Sequence, residues 1–278
     1  MKKVFAIILV LMLCMFSVVA GAEEATGKLK EILDAGKLVV ATDAAWAPFE
    51  YIGADGEVAG SDIEMAKYIA EKLGVELEII NVAFDSISTY LMNDEADMSL
   101  SAMTITEERK ETIAFSIPYT VAQQYIIVPE DNETVKTIED LAGMGIGVHL
   151  GTTGDFLVSD ECMMGVLAGT GASAQQYKFL TDAALALKNG QLGASVCDTA
   201  LAENLVAVNG GLKCFALTYA DGSATIEELG IAMKKGEDAL VAKVNEIIAP
   251  AIEQGLFDEW MVKHTELASA LNEGLKRN

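Results

Sequence analysis

Basic residues are scarce: Lys and Arg number 19 against 42 Asp and Glu, a formal net charge of −23 over 278 residues. Phosphate backbones are gripped by clustered Lys and Arg, so this balance argues against nucleic-acid binding. A broad basic face for anionic lipid is missing for the same reason. Histidine occurs only at His149 and His264, too few for a histidine-rich metal site or an H-E-x-x-H helix. There is no G-x-S-x-G elbow and no Walker lysine after Gly151–Gly154. With no nucleophile–base set in view, no catalysis, cofactor or metal is expected. Only four prolines occur, and no stretch rich in Pro, Gly or Ser separates two halves. What is present is apolar: a hydrophobic share of 51% with 22% charged residues excludes a disordered chain despite its charge.

The first residues contribute to that hydrophobicity without belonging to the fold. Met1-Lys2-Lys3 precedes an uncharged run from Val4 to Val19, then Ala20-Gly21-Ala22 before Glu23-Glu24. This is the pattern of a secretory signal peptide spanning residues 1–22, with cleavage expected after Ala22. The run is shorter than the roughly 20 residues of a spanning helix. Cys14 lies inside it behind Leu13, where a lipidation cysteine would follow a small residue, and is taken as part of the apolar run. Cys162, Cys197 and Cys214 remain, an odd number without metal-ligand spacing, which leaves one disulfide or none.

Beyond the signal, apolar runs alternate with amphipathic stretches. Leu38–Ala41 reads as a strand ending at Asp43, and Ser61-Asp62-Ile63-Glu64 as a capping box opening a helix that Gly74 closes. Val75–Ile79 alternates at period two. A helix near Ser86–Met92 and a strand near Asp97–Ser101 follow. Gln124–Val128, Gly145–Leu150 and Leu229–Met233 are further expected strands, with helices opening at Ile138, over Asp238–Gln254 and near Phe257–His264. Repeated βαβ units mean an α/β fold with mainly parallel sheet. Leu91–Thr104 and Leu187–Ala200 echo one another, as expected of two lobes on one plan.

Polar residues gather at expected strand ends, where open α/β sheets place ligands. Asp43 and Trp46 lie just beyond the first strand, Ser101–Arg109 runs from a strand end into a helix, Gly151–Asp155 turns into another, and Asp198 ends a short strand. The segments APFEY–GEVAGSDIEMAKYIAEKLG, SAMTITEERKETIAFSIPY, GVHLGTTGDF and LGIAMKKG, in this order from about Gly36 to Lys263, resemble the bacterial extracellular solute-binding proteins, family 3, polar amino-acid branch.

The resemblance implies a two-lobed periplasmic-binding-protein (type II) fold with two hinge strands. Lobe one would be 25–121 plus 229–278, and lobe two 122–228. It implies that Arg109 grips a ligand α-carboxylate, which a planar guanidinium can do through two charge-assisted bonds. Ser101, Ala102 and Thr104 would offer hydroxyl or backbone contacts. Thr153 would offer a helix N-terminus. Asp198 would receive the α-ammonium, and Trp46 and Phe84 would sandwich the side chain. Asp43 points to a polar or cationic amino acid. Gly193, Cys197 and His149 depart from the family pattern, and His149 stands where it would tune specificity. The implied partners are a free amino acid and the permease of an ABC importer, for an exported, monomeric chain that is periplasmic or else extracellular and cell-surface associated. The alternative is a cyclohexadienyl dehydratase-like enzyme with Asp43 or Asp198 as its acid.

Overall fold

The computed structural model describes residues 25–276. The signal-peptide expectation and Cys14 fall outside them. In chain order the strands are β1 (Lys37–Thr42), β2 (Ala45–Trp46), β3 (Glu50–Ile52), β4 (Val58–Ala59), β5 (Glu76–Asn81), β6 (Met98–Ser99) and β7 (Ile113–Phe115). They continue with β8 (Thr120–Pro129), β9 (Gly145–His149), β10 (Ser173–Tyr177), β11 (Ala194–Asp198), β12 (Leu212–Ala216), β13 (Ile226–Leu229) and β14 (Ala232–Lys234).

Two sheets share one plan. The first runs β5-β1-β6-β14-β7 and the second β10-β9-β11-β8-β12. In each, three parallel strands are followed by an antiparallel pair: β1 pairs β5 and β6 in parallel, β9 pairs β10 and β11, and β14 and β8 run against β6 and β11. The echoing segments Leu91–Thr104 and Leu187–Ala200 carry β6 and β11, which are equivalent in the two orders. The central strands are apolar on both faces because helices cover both, as parallel sheet requires. Leu38, Val40, Met98, Ile146, Val148 and Val196 are all buried.

β8 joins the sheets. Its second half pairs β11 and β12, and its first half pairs β13 antiparallel through Thr120↔Leu229 and Gln123↔Ile226. The expected strand over 229–233 is therefore two strands. β13 ends at Leu229 and β14 starts at Ala232 in the other sheet, because the chain passes between sheets at Gly230-Ile231. Gly230 is closely packed there: an added Cβ would stand 2.8 Å from Ile105.

The helix Ser61–Leu73 forms as expected, with Gly74 in the left-handed region at its C-terminus. Its start differs. Gly60 is the capping residue, and the carbonyls of Pro48 and Phe49 take the Ser61 and Asp62 N–H groups. With those donors satisfied by backbone, no capping box is needed. Ser61 instead donates to Met261 Sδ, and Glu64 accepts from Lys263 and lies 3.3 Å from His264 Nε2. The segment at Ile138 is a single 3-10 turn, Ile138–Leu141. Cys162, Cys197 and Cys214 are all free thiols. Trp260 packs on Tyr68, and His264 is buried against Tyr51 Oη at 3.0 Å, so both are structural. Among the described residues, no helix is long and apolar enough to cross a membrane.

Candidate functional site

The C-terminal ends of β1 and β6 face those of β9 and β11 across a cleft. At its centre is a cavity of about 10 Å³, room for roughly one water. Eight of the ten residues singled out in the sequence line it: Trp46, Phe84, Ser101, Ala102 and Thr104 with Arg109 from one side, Thr153 and Asp198 from the other. Thr152 lines it as well. Asp43 and His149 do not; both are buried behind it.

Arg109 lies in a single helical turn, Glu107–Lys110, capped by the Thr106 hydroxyl. Its Nη1 donates to Thr104 O at 2.8 Å and its Nη2 to Gly151 O at 3.1 Å, so the guanidinium links the two sides of the cleft. It stands over the Phe84 ring at 5.4 Å. Burial lowers its pKa from the usual arginine range, opposed by Glu227, Asp198 and Glu108. An arginine stays charged regardless, so the cleft holds one fixed cation.

Asp198 ends β11 and is buried, with 6% of its surface exposed. Burial, with Glu227 nearby, raises its carboxyl to about 7, while Gln124, the Trp46 indole and Arg109 hold it down. Gln124 Nε2 donates to Asp198 Oδ1 at 2.6 Å. The Trp46 Nε1 proton makes no hydrogen bond of normal geometry. Such an acid is costly to ionise until a cation arrives.

At the far end Trp46 and Phe84 flank the His149 imidazole, with ring centroids 5.3 and 6.1 Å away. His149 Nε2 stands 3.6 Å from Asp43 Oδ2, too far for a hydrogen bond. Burial raises Asp43 to about 6 and lowers His149, so both move toward neutrality, and the contact is a buried polar pair rather than a salt bridge. The two rings expected to sandwich a ligand side chain thus hold a side chain of the protein itself.

The floor is built from buried acids. Asp62 accepts from the Ala102 N–H at 2.8 Å and from Tyr119 Oη at 2.9 Å, fixing Ala102 in the left-handed region at φ 45°. Ser101 donates to Glu50 Oε1 and accepts from the Asp43 N–H. Burial raises Asp62 to about 7 and Glu50 well above the carboxylate range. On the opposite side Thr152 caps the helix Thr153–Met163, accepting from the Asp155 N–H and donating to His149 O. The first-turn N–H groups of a helix have no backbone partner within it, and Thr152 and Thr153 at this helix start line the cavity.

Three contributors were not singled out from sequence: Thr152, Gln124 and Glu227. The Thr-x-x-Asp spacing of residues 152–155 is a legible cap signal. Gln124, 1% exposed, is a polar residue at the head of the apolar run Tyr125–Val128. Glu227 gives no signal, because β13 inverts the usual alternation: Ile226 is 75% exposed while Glu227 turns inward.

The chain matches the bacterial extracellular solute-binding proteins, family 3, over residues 38–276. It belongs to that family. A probable histidine-binding protein of Neisseria gonorrhoeae is 32% identical over 226 residues, 81% of each chain. Among solved structures, a mutant of ArgBP from T. maritima is 36% identical with a TM-score of 0.77, covering 86% of this chain and 100% of that one. The substrate-binding protein AbpA from Streptococcus pneumoniae, bound to L-arginine, is 30% identical with a TM-score of 0.79, covering 86% and 98%. The fold is that of the type II periplasmic binding proteins.

Proposed function

We propose that the cleft captures one cationic amino acid, arginine first and histidine next, and presents it to the permease of an ABC importer. The chain is the amino-acid-binding component of such an importer and not an enzyme. Its named relatives are binding proteins, and nothing at Asp43 or Asp198 favours a dehydratase over a binding site.

The observation that carries the ligand class is the charge arrangement around the central cavity. Arg109 on one side and Asp198 on the other match the two ends of a zwitterion. Asp43, behind Trp46 and Phe84, offers a further carboxylate to a cationic side chain. In this assignment Arg109 and the helix start at Thr153 take the α-carboxylate, and Asp198 takes the α-ammonium. Ser101, Ala102 and Thr104 shape the floor. A side chain reaching Asp43 enters between the two rings and displaces His149, which makes His149 a selector of side-chain length.

A cavity of about 10 Å³ admits no amino acid, so capture requires the cleft to open. The hinge is the β8–β13 ladder, dividing lobe one (25–121 plus 229–278) from lobe two (122–228). Ligand then favours closure through the contacts it makes to both lobes at once. The mature protein acts as an exported, periplasmic monomer after loss of residues 1–22.

Calorimetry against the twenty amino acids tests this assignment. Arginine or histidine is expected to bind, and Arg109→Ala to weaken binding by about 2–3 kcal/mol, the worth of a charge-assisted pair. No binding by any of the twenty, or an Arg109→Ala variant as tight as the parent, would refute it.

A further inference from the structure

Glu227 sits on β13, one of the two strands that pass between the sheets, yet its carboxylate reaches the groups that surround the cavity. Oε2 accepts from the Thr104 hydroxyl at 2.7 Å and from the Thr153 hydroxyl at 2.8 Å. Oε1 accepts from Gln124 Nε2 at 3.2 Å, and the same amide nitrogen donates to Asp198 Oδ1. One carboxylate therefore gathers a hydroxyl from each side of the cleft and is joined through Gln124 to the acid expected to meet the ligand.

A threonine hydroxyl has one proton and two lone pairs. Both Thr104 and Thr153 give their proton to Glu227. The two oxygens stand 3.4 Å apart with no proton left to share between them. Thr153 Oγ1 also accepts from Gln124 Nε2 at 3.4 Å, so what the two hydroxyls have left for a ligand is their remaining lone pairs. They can accept from an N–H group but cannot donate to a carboxylate.

We infer that Glu227 is a positioning residue for specificity: by drawing the protons of Thr104 and Thr153 away from the cleft, it makes both hydroxyls acceptors that join Asp198 in receiving the ligand α-ammonium. This rests on the amino-acid reading of the site and revises one part of the family expectation. The α-carboxylate is left to Arg109 and the backbone N–H groups at the helix start, without help from the threonine side chains.

The isosteric Glu227→Gln variant inverts the arrangement. Gln124 keeps its N–H on Asp198, so the new amide turns its oxygen to Gln124 and its NH2 to the threonines. Both hydroxyls then accept from residue 227 and point protons into the cleft. Affinities of parent and variant are measured for L-arginine and L-histidine, for their amides, which lack the carboxylate, and for 5-guanidinopentanoate and imidazole-propionate, which lack the α-ammonium. Glu227→Gln is expected to weaken the amino acids and their amides at least tenfold and the two ammonium-free analogues less than threefold. Thr153→Val, which removes one acceptor without touching the hinge strand, is expected to give the same pattern and serves if Glu227→Gln does not fold.

Equal weakening of all probes would mean a structural role only and would overturn the inference. Tighter binding of the amino acids, with the amides unchanged, would make Glu227 a built-in competitor for the carboxylate and would overturn it too. If the parent binds none of the twenty amino acids, the reading of the site falls and this inference with it. If the parent binds and only the probe pattern fails, the reading stands without it.

Discussion

Replacing Asp62 by Asn should flatten the dependence of stability on pH. Asp62 is fully buried beneath the cleft, and burial, only partly offset by the Ala102 N–H, the Tyr119 hydroxyl and neighbouring Glu50, raises its pKa from 3.8 to about 7. The folded protein therefore binds a proton that the unfolded chain has released. Stability falls as pH rises between those two values and levels off above the higher one. The full effect is on the order of a few kcal/mol, and most of it is lost between pH ~5 and pH ~8. Asn has nearly the same shape, keeps an acceptor oxygen for Ala102 and Tyr119, and carries no titrating proton. Exposed carboxylates with lowered pKa, such as Asp94 and Asp140, slope the opposite way but are common to both proteins and cancel. Buried Glu50 is raised in part by the Asp62 charge, so its slope shrinks with the substitution and the difference reports the buried pair. Urea unfolding of ligand-free parent and Asp62→Asn at half-unit pH steps measures the difference. The parent should lose more stability than the variant over that range, by a margin on the order of a few kcal/mol. Parallel profiles, or a parent that gains on the variant with rising pH, would show that Asp62 is not held neutral by burial.

Gly60 has φ 142°, and a Cβ there would stand 1.9 Å from the Phe49 carbonyl that receives the Asp62 N–H. Gly60→Ala should cost more than about 2 kcal/mol in urea unfolding; a cost under half of that would mean the turn relaxes freely. Asp198, at about 7, must lose its proton to receive an ammonium. Amino-acid affinity should therefore fall as pH drops below that value, approaching tenfold per unit, with proton release seen by calorimetry in buffers of different ionisation enthalpy. A flat profile from parent, or the same slope in Asp198→Asn, would remove Asp198 from the ammonium site.

Much of the cleft is legible in the amino-acid sequence because its residues sit at strand ends. Short apolar runs alternating with amphipathic helices locate β1, β6, β9 and β11, and ligand sites in such sheets form beyond the carboxyl ends of the strands. That is why Trp46, Ser101, Arg109, Thr153 and Asp198 stand out. The capping box at Ser61 fails because a local pattern does not know that Pro48 and Phe49 will supply carbonyls to the same donors. The strand over 229–233 fails because hydrophobicity does not register a passage from one sheet to another.

Residue order alone carries the α/β class, the apolar interior, the acidic exterior and the set of polar residues that strand ends would present. Each follows from spacing and residue type over a few turns of chain. Which groups hold which protons emerges from the packed fold. Asp43 and His149 were both visible, but their mutual approach between Trp46 and Phe84 depends on two lobes meeting. Glu227 was invisible because its role comes from an inverted strand face and from partners 74, 103 and 123 positions away in the chain. Hydrogen-bond direction is set by three-dimensional neighbours, and in this cleft it determines which end of a ligand each hydroxyl can meet.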